Sequence, residues 1–421
     1  MKGMLTVIII LSALLIAVDV YTFKGVKMLM KDVDSLLIKR VFTWGYWALT
    51  LAMLALLYYS FGNFSSAVES HSYRIPFTVF SLFLIYLSPK LIFIIFQLIE
   101  DVGFAGYWSV TKVSGTETTE ILSRSEFLSQ TITKIGLGMA GLQFGAMIYG
   151  VVKGRFDFEI VNQSIQFDNL PDSFSGLRIV QLSDIHIGSF FDNHEEVKAA
   201  INKVNELKPD YIFFTGDMVN NYAWELDGWE EIFGSLKAQY GKYSILGNHD
   251  YADYVKWDNE ADKLKNLEDL KQRHAKMGFE LLLNESVKLE KDGEFIELLG
   301  LENWGKGRFA KYGDLVETMK HTAPESFKIL MSHDPSHWDE QVLEKTSINL
   351  TLAGHTHGMQ YGVKIGSFQF SPVQFRYPRW AGIYTEGKQH LYVNRGFGYI
   401  GFAGRVGISP EITLLELRKK V

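Results

Sequence analysis

Long apolar stretches fill the first third of the chain, and shorter apolar runs follow them. A helix that crosses a membrane needs about 20 mostly apolar residues, because its backbone polar groups must pair with one another inside hydrocarbon. The pattern predicts a transmembrane region over residues 1–155 with about four helices, the third of them kinked at Pro89. The predicted helices cover residues 4–20, 41–61, 75–98 and 132–152.

After Arg155 the pattern changes to short apolar runs separated by amphipathic segments. Leu177–Leu182 and Tyr211–Phe214 have the length and composition of buried strands. Residues 193–207 and 259–277 carry apolar side chains at helical spacing. This alternation indicates a layered α/β domain over residues 156–421, in which strands lie between helices.

The distribution of charge follows the same division. The chain is 47% hydrophobic, with a mean hydropathy of +0.02. Residues 1–155 hold 13 Lys and Arg against 9 Asp and Glu, whereas residues 156–421 hold 29 against 39. An acidic domain lacks the clustered positive charge that binds a nucleic-acid backbone, so no nucleic-acid polymer is expected as a partner. The chain has no cysteine, which excludes disulfides, thiolate metal sites and cysteine nucleophiles.

The basic residues of the short loops predict the orientation in the membrane, because such residues favour the cytoplasmic side. The first loop carries five of them, namely Lys24, Lys27, Lys31, Lys39 and Arg40. With four spans, this bias predicts a multi-pass protein of the cell membrane whose globular domain lies outside the cytoplasm. If the third stretch were re-entrant, the domain would be cytoplasmic instead.

Gly141 and Gly145 are spaced by four residues in the last apolar stretch. Small residues at this spacing allow two helices to approach closely. The contact could be made inside the bundle of one chain, which is the simpler interpretation, or between two chains of a homodimer.

Polar residues with the chemistry of metal ligands follow five of the apolar runs in the globular domain. Their carboxylate, amide and imidazole groups suit divalent ions such as Mn²⁺, Fe²⁺ or Zn²⁺. Partners two residues apart are expected to point to the same side of an extended chain. The ligands are too many for one tetrahedral ion and match two ions that share a carboxylate. The segments contain Asp184 and His186, Asp217, Asn248 with His249 and Asp250, His333, and His355 with His357.

This set of motifs closely resembles that of the calcineurin-like metallophosphoesterases, across about residues 178–358. The tail from Tyr392 to Ile412 is similar to that of the membrane-associated bacterial subgroup. The resemblance implies a four-layer α-β-β-α metallophosphoesterase sandwich, preceded here by the transmembrane bundle. It also implies two divalent metal ions, with Mn²⁺ the first expectation and Fe or Zn²⁺ the alternatives.

The resemblance also assigns a role to each motif residue. Asp217 would bridge the two ions. His249 would not be a ligand but would contact the phosphate and stabilise the leaving oxygen or donate a proton to it, and Asp250 would orient its ring. The remaining residues divide into a first-ion set of Asp184, His186 and His357 and a second-ion set of Asn248, His333 and His355.

The activity implied is hydrolysis of a phosphodiester, pyrophosphate or phosphomonoester bond by a hydroxide held between the ions. The membrane region makes lipids expected partners and a lipid-linked or envelope phosphoester the expected substrate. Two alternatives stay open: a tethered nucleotide phosphodiesterase, and a regulatory or scaffold membrane protein that uses the domain for binding. The aromatic segment Phe368–Tyr384 could be ordinary packing, the rim of the substrate site, or a surface that lies against lipid.

Overall fold

The computed structural model describes residues 2–31, 33–114, 119–366 and 368–420. The chain forms two compact units. One comprises Met1–Ser70 with Arg74–Tyr149, and the other comprises His71–Tyr73 with Gly150–Val421.

The first unit is helical. Among the described residues, four of its helices are long and apolar enough to cross a membrane. The third of these continues as one α-helix through Pro89, which favours a full span over a re-entrant segment. The helices are α1 (Lys2–Leu29), α2 (Leu36–Gly62), α3 (Phe64–Glu69), α4 (Arg74–Ser114) and α5 (Thr119–Val152), of which α3 is the short one.

A buried ion pair lies inside this bundle. The carboxylate of Asp19 on α1 is buried and pairs with the amine of Lys90 on α4. The hydroxyls of Thr50 and Tyr86 donate to the same carboxylate over 2.6 and 2.7 Å. Charged groups inside a membrane are costly unless they are paired, so Asp19 accounts for the presence of Lys90 beside Pro89.

The second unit is built on strands. Among the described residues they form two six-stranded sheets and one two-stranded ribbon. The strands are β1 (Glu159–Phe167), β2 (Leu177–Leu182), β3 (Tyr211–Phe214), β4 (Gly241–Ser244), β5 (Glu280–Leu281), β6 (Glu285–Lys291), β7 (Glu294–Gly300), β8 (Lys328–Met331), β9 (Leu350–Ala353), β10 (Val363–Ile365), β11 (Phe368–Phe370), β12 (Gly382–Glu386), β13 (Gln389–Val393) and β14 (Glu411–Lys419).

Both large sheets are mixed. The first has the order β1-β14-β2-β3-β4-β5, and the second has the order β12-β13-β9-β8-β7-β6. In the first sheet the last strand of the chain, β14, lies between β1, to which it is parallel, and β2, to which it is antiparallel. In the second sheet β7, β8, β9 and β13 are mutually parallel, with antiparallel strands at both edges.

Alternating side chains on the strands divide the core into layers. On β2, Ile179 belongs to the core between the sheets, whereas Val180 packs on the outer side with the helices. On β8, Ile329 faces the same inner core, whereas Leu330 packs outward with Trp338. The packed helices are α6 (His194–Glu206), α7 (Glu230–Gly234) and α8 (Glu260–Lys276) on the first sheet and α9 (Leu315–Met319) on the second. The α-β-β-α layering predicted for the domain is therefore confirmed, and the helical bundle precedes it.

Candidate metal centre

The carboxyl ends of five strands meet at one edge of the two sheets. Three of the strands, β2, β3 and β4, belong to the first sheet, and two, β8 and β9, belong to the second. Loops at such an edge converge, which is where α/β proteins collect ligands. The five predicted motif segments all follow these strands.

Two groups of three side chains form at this edge. In the first group, Asp184, His186 and His357 offer ligand atoms that all lie within 4.8 Å of one another. The Nε2 atoms of His186 and His357 are 3.1 Å apart, and Oδ1 of Asp184 is 3.3 Å from Nε2 of His357. All three residues are buried.

The second group is Asp217, His333 and His355. Nε2 of His333 lies 3.3 Å from Nδ1 of His355 and 3.1 Å from Oδ2 of Asp217. The same Oδ2 atom is 3.5 Å from Nε2 of His186 in the first group. A single carboxylate oxygen of Asp217 therefore faces both groups.

The backbone at these residues is left-handed rather than extended, which corrects the expectation for the two pairs spaced two residues apart. The φ angles are 51° at Asp184, 48° at His186, 70° at His355 and 51° at His357, and that of Asp217 is 60°. Each such residue costs on the order of 1–3 kcal/mol, and strain of this kind concentrates at functional sites. The side chains converge because of tight turns in the loops, not because of strand alternation.

Two glycines permit the close approach of these loops. A Cβ atom on Gly354 would lie 1.9 Å from Oγ of Ser183 and 2.2 Å from Oδ2 of Asp184. A Cβ atom on Gly247 would lie 2.2 Å from Oδ1 of Asp217. Both glycines immediately precede a predicted ligand, so each lets a ligand loop pass against a carboxylate of the neighbouring loop.

The chemistry of the donor atoms fits divalent metal ions. Nδ1 of His333 lies 2.7 Å from the carbonyl oxygen of Thr215, and because a carbonyl can only accept, Nε2 is left free as a ligand. The amide nitrogen of Asn248 donates to the hydroxyl of Tyr254 over 2.9 Å. Among the described residues, Oδ1 of Asn248 is then buried without a hydrogen-bond partner. An oxygen in this state beside imidazoles and carboxylates is suited to a cation.

Electrostatics leave His186 and Asp217 in the protonation states that metals require, but not His333. Burial lowers the pKa of His186 well below its ordinary value, so its ring is neutral. Burial acts to raise the pKa of Asp217, but the rings of His333 and His249 hold it well below its usual range. Burial acts to lower the pKa of His333, but Asp217 raises it to about 10. Since a ligating imidazole must be unprotonated, metal binding would release a proton from His333.

Asp250 does not occupy the place expected for a residue that orients the His249 ring. Its carboxylate accepts backbone N–H groups of Asp217, Met218 and Gly247 over 2.8 to 2.9 Å. Burial and the neighbouring Asp217 raise the pKa of Asp250 to about 7. Asp250 therefore ties the loop after β3 to the loop after β4.

The ring of His249 is instead held by a backbone carbonyl. Its Nδ1 atom donates to the carbonyl oxygen of Asn220 over 2.8 Å, so Nε2 is the free nitrogen. The turn that begins at Asn220 is fixed by the buried Glu225, whose carboxylate accepts the N–H groups of residues 220, 221 and 222 over 2.6, 2.9 and 2.9 Å. The backbone N–H of His249 also donates to Oδ1 of Asp217 over 2.9 Å.

Several of these supporting groups were not predicted. Glu225 stands three residues after Tyr222. This is the spacing of a capping box, and it is the one feature of the sequence that indicates the role of Glu225. The hydroxyl of Tyr377, 2.8 Å from Nε2 of His355, carries no motif at all. Backbone carbonyls such as that of Asn220 cannot be recognised from residue type.

Comparison with known families agrees with both units. Residues 4–155 match the family model described as a probable calcineurin-like phosphoesterase, transmembrane domain. Residues 177–359 match the model for calcineurin-like phosphoesterase.

Curated relatives give the same result. An uncharacterised metallophosphoesterase of Bacillus subtilis, YkuE, is 30% identical over 309 residues, which cover 70% of this chain and 98% of the relative. The transmembrane protein with metallophosphoesterase domain of Danio rerio is 29% identical over 65% of this chain, and the match spans only 60% of that relative's length. The UDP-2,3-diacylglucosamine pyrophosphatase of Chlamydia trachomatis is 28% identical over 59% of this chain and 86% of the relative. The chain therefore belongs to the calcineurin-like metallophosphoesterase family, whose members are phosphoester hydrolases, and it is a multi-pass membrane protein of that family.

Proposed function

We propose that this chain hydrolyses a phosphodiester or pyrophosphate bond of a lipid-linked substrate at the membrane, with two divalent ions, preferably Mn²⁺. The observation that carries the proposal is the position of Oδ2 of Asp217, 3.5 Å from Nε2 of His186 and 3.1 Å from Nε2 of His333. A carboxylate oxygen shared between two ligand groups is the arrangement that holds two ions close together.

The ligand residues divide between the two ions. Asp184, His186 and His357 would hold one ion, and Asn248, His333 and His355 would hold the other, with Asp217 shared. When bound, such ions lower the pKa of water and offset the charge that develops on phosphorus. The protein's part is to fix the two groups at one spacing, and the left-handed loops and the Asp250 carboxylate do this.

His249 would act on the substrate directly. Its ring centroid lies 4.9 Å from that of His186, and its Nδ1 proton is fixed on the carbonyl of Asn220. A protonated Nε2 would donate to a phosphate oxygen and then to the leaving oxygen, since it is the one ring nitrogen left free. This role needs the ring to be oriented but needs no covalent bond between the protein and phosphorus.

A positioning role for Glu225 gives a first prediction. Replacing Glu225 with Ala frees the 220–222 turn that holds His249, and we expect kcat to fall about tenfold to 100-fold with metal content unchanged. In a His249→Ala background the same change should have no further effect, because the turn then has no ring to position. Glu195, an exposed glutamate of α6, is the matched control and should be silent when replaced with Ala. An equal loss in both backgrounds would show that Glu225 acts on folding and not on His249.

The lipid-linked substrate is supported by the membrane helices and by the name of the Chlamydia relative, which acts on a diacylglucosamine nucleotide. The direct test is hydrolysis by the purified full-length chain loaded with Mn²⁺. We expect turnover of an aryl phosphodiester and faster turnover of a long-chain lipid pyrophosphate. A chain that bound two ions but hydrolysed neither would support the scaffold alternative.

The side of the membrane is a second prediction. The basic first loop and four spans favour a domain outside the cytoplasm. Because the chain has no cysteine, Asp292→Cys in the exposed turn between β6 and β7 gives a single reporter. A membrane-impermeant maleimide should label it in intact cells. Labelling only after lysis would place the domain in the cytoplasm and make a cytoplasmic lipid precursor the better substrate.

A further inference from the structure

The two-stranded ribbon of β10 and β11 exposes an apolar face. Among the described residues of the stretch 156–421, eleven large apolar side chains are exposed, and five of them lie within 17 consecutive residues. Exposure reaches 72% at Ile365 and 82% at Phe375. We call these five residues the ribbon patch; they are Met359, Val363, Ile365, Phe368 and Phe375.

In a typical surface hairpin the apolar face packs on the domain and the polar face meets solvent. In this ribbon the apolar side chains are the exposed ones. Val363 pairs with Phe370 and Ile365 pairs with Phe368, so these four share one face because side chains alternate along a strand. Lys364 lies on the other face, and its amine pairs with Glu159 of β1, which also pairs with Arg395. Lys364 therefore bonds its face of the ribbon to the domain, whereas Val363, Ile365 and Phe368 of the apolar face are exposed.

The ribbon patch adjoins the metal centre. Met359 lies two residues after His357, and the hydroxyl of Ser371, just after β11, donates to the carbonyl of Gly358 over 2.8 Å. Past the ribbon, the hydroxyl of Tyr377 lies 2.8 Å from His355. The match to the phosphoesterase family model ends at residue 359, and four of the five patch residues lie beyond it.

The charge beside the patch fits a phospholipid headgroup. Arg376 follows Phe375 and is exposed, and among the described residues it has no acidic partner. Apolar side chains flanked by a cation are typical of surfaces that lie in the interface between headgroups and acyl chains. An apolar patch of this kind on a soluble surface would otherwise favour association.

We propose that the ribbon patch inserts into the lipid bilayer and thereby brings the metal centre to phosphoesters at the membrane surface. Insertion is inferred from the residues of the ribbon patch alone and does not depend on any enzymatic activity. The second part rests on the proposed function, because it supposes that the metal centre hydrolyses a lipid.

Lipid quenching tests insertion without any assay of hydrolysis. The full-length chain with Ile365→Cys, labelled with bimane, is reconstituted in vesicles of phosphatidylcholine and phosphatidylglycerol that contain doxyl-labelled lipids. The control carries the label at Val316→Cys, which is 83% exposed on α9. We expect the label at position 365 to lose most of its emission and the label at 316 to keep it. Phe375→Cys repeats the test at a second position of the patch.

Two results would overturn the proposal. Equal emission from positions 365 and 316 in doxyl vesicles would show that the patch does not reach lipid. A label at 365 that is shielded from lipid, and whose emission changes with the ratio of protein to lipid, would show that a second copy of the chain covers the patch.

Substrate selectivity tests the second part. The double substitution Ile365→Ser and Phe368→Ser should lower the ratio of turnover on a long-chain over a short-chain phosphoester about tenfold, since apolar contact area is lost. An unchanged ratio together with strong lipid quenching would keep insertion and discard its role in substrate access. If the parent hydrolyses no phosphoester, the proposed function fails while the quenching result stands.

Discussion

Replacing Asp217 with Asn is expected to abolish hydrolysis and to release metal together. The carboxylate faces both ligand groups through one oxygen, so the amide would weaken the binding of two ions at once. Mutation of a residue that only supports a metal ligand lowers metal affinity about 10–100-fold, so we expect a loss of about 100-fold or more for Asp217, which would be a ligand itself. Turnover should fall by about 10³-fold or more, because the stabilisation of charge on phosphorus is lost with the ions.

Metal content measured by mass spectrometry, beside turnover of an aryl phosphodiester, checks this prediction. Asp334→Asn is a suitable control, because this buried carboxylate lies beside His355 but outside the two ligand groups. It should reduce metal content less than Asp217→Asn does. If Asp217→Asn retained both ions, the carboxylate would not be shared and the two-ion assignment would be wrong.

Replacing His249 with Ala should separate turnover from metal binding. The ring is not part of either ligand group, so both ions should remain. The change removes the proton donor to the leaving oxygen, and we expect kcat to fall by about 10²–10⁴-fold. Metal content and kcat measured on the same preparation check the result.

Comparing substrates with different leaving groups makes the test of His249 more specific. An aryl oxygen leaves readily without a proton, whereas an alkyl oxygen requires one, so the loss should be larger with an alkyl phosphodiester. A variant that hydrolysed both substrates as fast as the parent protein would contradict the role given to His249. A loss equal for both substrates would indicate contact with the phosphate rather than proton donation.

The sequence predicted the parts of this site that depend on residue type and on order along the chain. An apolar run that ends in Asp, Asn or His is visible without a structure, and all five such loops meet at one edge. The contacts of Asp250 were not predicted, because its carboxylate accepts backbone N–H groups, which every residue except proline carries. The left-handed turns at Asp184 and His355 were not predicted, because glycine alone adopts this conformation freely, and Asp and His adopt it too seldom for their presence to indicate a turn.

The same limit applies to the prediction of the fold from the sequence. Alternating strands and helices predicted a layered α/β domain, but local pattern cannot reveal which strands pair. The position of β14 between β1 and β2 joins residues about 250 positions apart, and nothing local in Ile412 or Leu417 specifies those neighbours. The orientation of the ribbon of β10 and β11 was also not predictable, because the alternation at Val363–Ile365 does not indicate which face meets the domain.

The place of β14 between β1 and β2 affects how the domain must fold. Among the described residues, the strand that follows the membrane helices, β1, pairs along its nine residues with β14 alone, and β14 is made more than 240 residues later. Until β14 has been synthesised, β1 and β2 each keep an unpaired edge, and such edges favour aggregation. A chain cut short before Glu411 would lack the strand that joins them, and premature termination should therefore yield a protein that is anchored in the membrane yet recognised for proteolysis.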